Sequence, residues 1–270
     1  MAEITHRWRW LGVEFVVIAL GVLSALFVDT LVEERQDAQR EAVYLQRLEA
    51  DLQRDISNLD TVIAYYTRVR EYSLATLADL EGTAPLDDFQ LLFSAFNAAE
   101  EWGFQPESST WNDLQSTGGL SLIRDVQFRI ELADYYRQGK GRAADVWYLP
   151  RAYRETVRGI IPNPLQAAIH ESCVADRDAL HLDSSIDLTG ELLPASTVGM
   201  GGSAGAVGQC GLDPDDFELT RAAEELRNDP GIPRLLRYRI SQMRVALSLY
   251  AGQRDEAVKL HDRLSDITPR

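Results

Sequence analysis

The chain has 270 residues, of which 45% are hydrophobic and 26% charged, and carries a formal net charge of -15. That balance excludes a disordered polymer and allows one sizeable folded core. The acidic excess argues against nucleic acid or an anionic membrane surface as the target of the folded part.

The first element is the apolar run Trp10 to Val28, WLGVEFVVIALGVLSALFV. About 19 residues at 1.5 Å each make roughly 28 Å, enough for one helix to cross the hydrocarbon layer. This predicts residues 10-28 as a transmembrane helix and 1-9 as a short cytoplasmic tail. Arg7 and Arg9 precede the run, while Asp29, Glu33 and Glu34 follow it. The asymmetry predicts a cytoplasmic N-terminus and a periplasmic C-terminal domain at a bacterial inner membrane, although Arg35 and Arg40 dilute it. The rival reading is a cleaved signal peptide with its cut near Val22-Leu23-Ser24. Glu14 inside the run and the helix-forming sequence beyond it favour the anchor.

Two features of the run could serve a partner span. Glu14 is an ionisable group in a costly place, either a contact or proton site or a side chain that snorkels to the headgroups. Gly21 and Ala25, with Ser24 beside them, form a face of small residues that lets another helix approach, whether from a second copy or a different protein.

No glycine or proline occurs from Val22 to Glu81, so the helix is expected to continue as a rod over 29-81. Leu45, Leu48, Leu52, Ile56, Leu59, Ile63 and Tyr66 recur at steps of three and four, which makes one apolar stripe. Arg47 and Asp51 stand at i and i+4, a spacing for an ion pair. Such a coiled-coil-like stripe needs covering by other helices of the chain or by a second copy.

The rod is predicted to stop at Gly82-Thr83-Ala84-Pro85. Residues 82-270 then read as a helical domain. Asp87 caps a helix bearing Phe89, Leu92, Phe93 and Phe96 that ends near Trp102-Gly103. Thr110 to Asp113 has capping-box spacing and opens a brief helix closed by Gly118-Gly119. Trp111 with Gly118 could line a ligand cleft, although an aromatic in a short capped helix is ordinarily core. Leu122 to Gln138 is expected to be amphipathic, and Asp145 to Arg158 helical with a break at Pro150.

Residues 174-211 are rich in Gly, Ser, Ala and Thr and read as a long excursion. Cys173 precedes it and Cys210 lies near its end, and in an oxidising compartment the pair favours a disulfide closing a loop of about 38 residues. A zinc site with His170 and His181 is the weaker alternative, since only His170 and Cys173 are closely spaced. Asp213-Pro214-Asp215-Asp216 starts a helix, which explains these acids more simply than calcium binding does. Pro233 to Ile267 is a long amphipathic helix able to run back along the rod.

The two blocks Glu14, Ile18 to Leu26, Glu33-Glu34-Arg35, Tyr44-Leu45-x-x-Leu48-x-x-Asp51-Leu52-x-x-Asp55 and Thr110-Trp111-x-x-Leu114-x-x-Thr117-Gly118-x-Leu120-x-Leu122-Ile123 resemble a bacterial family of single-span helical proteins of unknown function. The resemblance covers about a third of the chain and implies a membrane-anchored helical protein; it transfers no catalytic residue. No GxSxG turn or phosphate-cradling loop occurs, and the four histidines are scattered. The expected protein is therefore all-α and non-catalytic, without cofactor or metal. It is expected to act as an anchored scaffold or accessory subunit docking a membrane or periplasmic protein, or as a ligand-sensing domain working through a separate output protein.

Overall fold

The computed structural model describes residues 2–147, 151–172 and 218–267, with side chains described for 18, 20–139, 151–170 and 218–267. The described residues are helices and their connections, with no strand among them. In chain order the helices are α1 (Ala2–Leu80), α2 (Asp88–Ala98), α3 (Ser109–Ser116), a 3-10 turn (Gly119–Leu122), α4 (Val126–Trp147), α5 (Ala152–Ile160), α6 (Asn163–Ser172), α7 (Leu219–Asn228) and α8 (Ile232–Ile267).

The 79 residues of α1 make a rod of roughly 120 Å. It ends where expected. Gly82 takes φ 70, Gly82 N–H donates to the Asp79 carbonyl at 2.9 Å and Thr83 N–H to the Ala78 carbonyl at 2.9 Å. That double bond pattern is a Schellman cap, and it needs a residue that tolerates the left-handed region. Asp87 then opens α2 with a capping box: Gln90 N–H donates to its carboxylate at 2.7 Å, and the Gln90 side chain accepts from Asp87 N–H at 3.2 Å.

The last helix packs antiparallel along the rod. Arg237 pairs with Glu81, Tyr250 stacks on Tyr66 and Arg254 pairs with Asp60, so α8 descends as α1 rises. Two apolar clusters are strung along this pair. The larger gathers Leu59, Val62, Tyr66, Val69 and Tyr72 of the rod with α2, α5, α6, α7 and the first half of α8. The smaller gathers Leu45, Leu48 and Leu52 with Trp111, Leu114, Phe128, Leu132, Tyr135, Tyr136 and the α8 residues Ala257, Leu260 and Leu264. The stripe read from the sequence is thus buried by this chain's own helices, chiefly α8, as an amphipathic helix requires.

Several local expectations shift. The second helix ends at Ala98, and residues 99–108 form a connector. Buried Arg239 of α8 explains the early end: it donates to the Glu100 carbonyl at 2.6 Å and the Glu101 carboxylate at 3.1 Å, while Arg154 donates to the Ala99 carbonyl at 2.9 Å. Cations here satisfy the carbonyl end of α2 and oppose its dipole. In α3 the cap position is Ser108, so Thr110 lies inside the helix and is buried. Arg47 pairs with Asp113 of α3 at 2.9 Å rather than with Asp51, whose partner is Arg54. Arg47 thus takes a tertiary partner on α3, while Asp51 pairs three residues along its own helix.

The helix runs unbroken through the expected span 10–28. Among the described residues, however, no helix is long and apolar enough to cross a membrane. The side chains of 10–17 are outside the described set, and the remaining 18–28 cover only about 16 Å. The excursion 174–211, both cysteines and the start at Asp213 also lie outside the described residues.

Candidate functional site

Two places stand out from the packed interior: the bare N-terminal part of the rod, and a polar seam between the two apolar clusters.

Residue 18 and residues 20 to 36 of α1 are all exposed in this chain. Ile18, Leu20, Val22, Leu23, Leu26, Phe27 and Val28 keep more than half of their surface open, and Leu31 and Val32 somewhat less. Apolar residues on every side of a helix are the pattern of a segment whose neighbour is itself apolar. Gly21, Ser24 and Ala25 are exposed there as well, and a Cβ at Gly21 would meet nothing within 4 Å. The side chain of Glu14 lies outside the described residues.

The seam is built from the rod upward. Asp55 falls between Leu52 and Leu59, which belong to different clusters, and in α8 Gln253 falls between Tyr250 and Ala257 in the same way. Asp55 is fully buried. One carboxylate oxygen accepts from the Glu107 N–H at 2.7 Å, and the other from the Tyr135 hydroxyl at 2.7 Å. One turn earlier, buried Asp51 accepts from the Thr110 N–H at 3.3 Å and pairs with Arg54. The rod's carboxylates therefore satisfy backbone donors at the start of α3, in place of a side-chain cap from α3 itself. Tyr66 serves the same connector: its hydroxyl donates to the Trp102 carbonyl at 2.6 Å and accepts from the Trp102 N–H at 3.2 Å.

Burial raises the Asp55 carboxyl to about 7, outweighing the Glu107 and Tyr135 donors that favour its ionised form. Burial also pushes the Tyr135 hydroxyl far up, reinforced by the Asp55 charge, so it stays a donor. The arrangement can hold a proton on Asp55 and anchor three segments on it. Beside it, a groove of about 200 Å³ opens between α4 and α8, lined by Glu131, Asp134, Tyr135, Gln138, Glu256, Lys259 and Leu260. Three of these residues are acids and one, Lys259, is a cation, and the lining residue Tyr135 also donates to Asp55.

Trp111 is buried, stacked on Tyr136 with ring centroids 5.2 Å apart, and Gly118 takes φ 72 at the end of α3. Neither lines the groove. Among the described residues no group of His, Cys, Asp and Glu could hold a metal ion. In the sequence Asp51 enters as a spacing partner of Arg47 and, with Asp55, as part of a resemblance; the four-residue spacing of the two acids inside the apolar stripe is the signal that both face inward. The structure brings the two resembling blocks together, with Leu45, Leu48 and Leu52 packed in one cluster with Trp111, Leu114 and Ile123. Tyr135, Gln253 and Glu107 carried no local signal.

No protein-family model matches the chain, and no curated protein and no solved structure matches it.

Proposed function

We propose that this protein is a membrane-anchored helical scaffold or accessory subunit that docks a partner protein at a bacterial inner membrane. The reading rests on one observation: an apolar sleeve from Ile18 to Val32 that no described part of the chain covers, on a helix continuous with the folded bundle. The apolar sequence extends back to Trp10, which gives the sleeve the length of a membrane span. Arg7 and Arg9 before it and the acids after it orient the bundle to the periplasm. The resemblance of the first 55 residues to single-span bacterial proteins of unknown function supports the same reading. Docking is assigned to the bare rod and the small-residue face of Gly21, Ser24 and Ala25, where a second span can come close.

A C-terminal alkaline phosphatase fusion should be active and should remain with membranes after carbonate washing. A chain starting at Asp29 should be released by the same wash. Fractionation of the full chain with soluble proteins would overturn the anchor, and an inactive phosphatase fusion with a fluorescent C-terminal GFP fusion would overturn the orientation. For docking, cross-linking in mild detergent should give a defined complex that Gly21→Leu weakens.

A further inference from the structure

The connector after α2 gathers more positive charge than its acids balance. Glu100 pairs with Arg158 and lies 4.0 Å from Arg154, while Glu101 pairs with Arg151 at 3.4 Å and with Arg239 at 3.1 Å. Four guanidiniums thus meet two carboxylates and the carbonyl end of α2, whose dipole adds only about half a negative charge. The chain as a whole runs the other way, with 42 acids against 27 lysines and arginines. Glu155 of α5 stays exposed to water, where its charge is screened.

The cluster is short of acceptors as well as of charge. A guanidinium has five N–H donors and keeps its proton in proteins. Besides the two carboxylates, the acceptors here are the Ala99 carbonyl, taken by Arg154, and the Glu100 carbonyl, taken by Arg239. The Nε–H groups of Arg158 and Arg239 are buried with no partner among the described residues. Burial first, and then the neighbouring Arg154 charge, press the Arg158 guanidinium below its ordinary value against the pull of Glu100. The open side of the cluster belongs to α5. Arg151, at its N-cap, Arg154 and Arg158 follow at steps of three and four, so they share one face. Their side chains are 47%, 32% and 25% exposed, whereas Arg239 is buried. The Phe96 ring covers one face of the Arg158 guanidinium, with its centroid 3.9 Å from Cζ, and leaves the N–H edge for acceptors.

We propose that Arg151, Arg154 and Arg158, on the connector end of α5, form a binding site for a small dianionic oxyanion of phosphate or dicarboxylate type. Four guanidiniums less two carboxylates leave an excess that a dianion cancels, and its oxygens supply the acceptors that the arginines lack. Guanidinium forks match paired oxygens in a way that single ammonium groups do not. Arg239 is a positioning residue: through the Glu101 carboxylate and the Glu100 carbonyl it holds the connector against which the α5 arginines are arrayed. The site lies on the folded bundle, apart from the bare rod, and does not depend on the anchor.

Calorimetric titration of the full chain in mild detergent tests this, at mildly alkaline pH and at an ionic strength held constant with sodium chloride. Inorganic phosphate or succinate should bind at one saturable site, and the tighter of the two identifies the ligand type. Arg154→Gln should weaken that binding about tenfold or more. Arg254→Gln, which removes a cation paired with Asp60 outside the cluster, should leave it unchanged. Absence of saturable heat with both anions would overturn the site, and so would an affinity equal in the unaltered chain and Arg154→Gln. If Arg154→Gln fails to fold for want of its bond to the Ala99 carbonyl, Arg151→Gln decides. Arg151 is the most exposed of the three, and its loss should weaken the same titration by a similar factor, while an unchanged affinity would overturn the proposal.

Discussion

Arg227 of α7 shows how a single side chain joins three segments of the chain. Its guanidinium donates to the Asp79 carboxylate at 3.1 Å, to Asp88 at 2.7 Å and to the Leu86 carbonyl at 2.9 Å. Asp79 is buried and also accepts from the Leu86 N–H at 2.8 Å. One fork thus closes the turn between α1 and α2 onto α7, a geometry that lysine cannot reproduce. Arg227→Ala leaves Asp79 without its cation and should cost about 2 kcal/mol, read as a lower urea midpoint at unchanged m-value. Arg227→Lys should recover part of that, not all. Gly139→Ala makes a separate residue-scale case: the added methyl meets Pro106 and Gln253. Overpacking of about 1–3 kcal/mol should exceed the gain of about 1 kcal/mol from replacing a helical glycine, so the variant should melt lower.

At the scale of elements, Gly252 is the complementary test. It sits exposed within α8 and a Cβ there meets nothing within 4 Å. Gly252→Ala should therefore raise stability by about 0.5–1 kcal/mol, visible in thermal melting. The helices themselves were largely legible in the sequence. The stripe on the rod, the stop at Gly82 and the cap at Asp87 are local patterns, and local physics decides them. The end of α2 was not legible, since the cations that terminate it come from Arg154 of α5 and Arg239 of α8. The partner of Arg47 was illegible for a related reason: an intrahelical pair worth about 0.5 kcal/mol or less yields where Asp113 of α3 packs beside Arg47. Asp55 stood further out of reach, because a polar residue is functional or structural according to what packs over it, and Tyr135 lies 80 positions away.

For the whole molecule, the division into two clusters on one helix pair sets what a large core deletion should do. Leu48 is fully buried in the smaller cluster and Leu236 in the larger. Leu48→Ala should cost about 2–5 kcal/mol and should release α3 and α4 before α2 and α5, because only the first group shares its cluster. Exchange measured helix by helix would show this order, and simultaneous loss of both groups would refute independent clusters. The antiparallel return of α8 also governs when the bundle can form. The rod emerges from the ribosome first, and the helix that covers it begins about 150 residues after the rod ends. Until Ile232–Ile267 has been made, Leu45, Leu48, Leu52, Leu59 and Tyr66 lack their chief cover. Closure waits on the most distant contacts in the chain, which slows folding and lengthens exposure to aggregation. A nonsense codon just before Ile232 would consequently yield a sticky rod rather than a smaller bundle, and the nascent chain has reason to meet a chaperone before its own C-terminus.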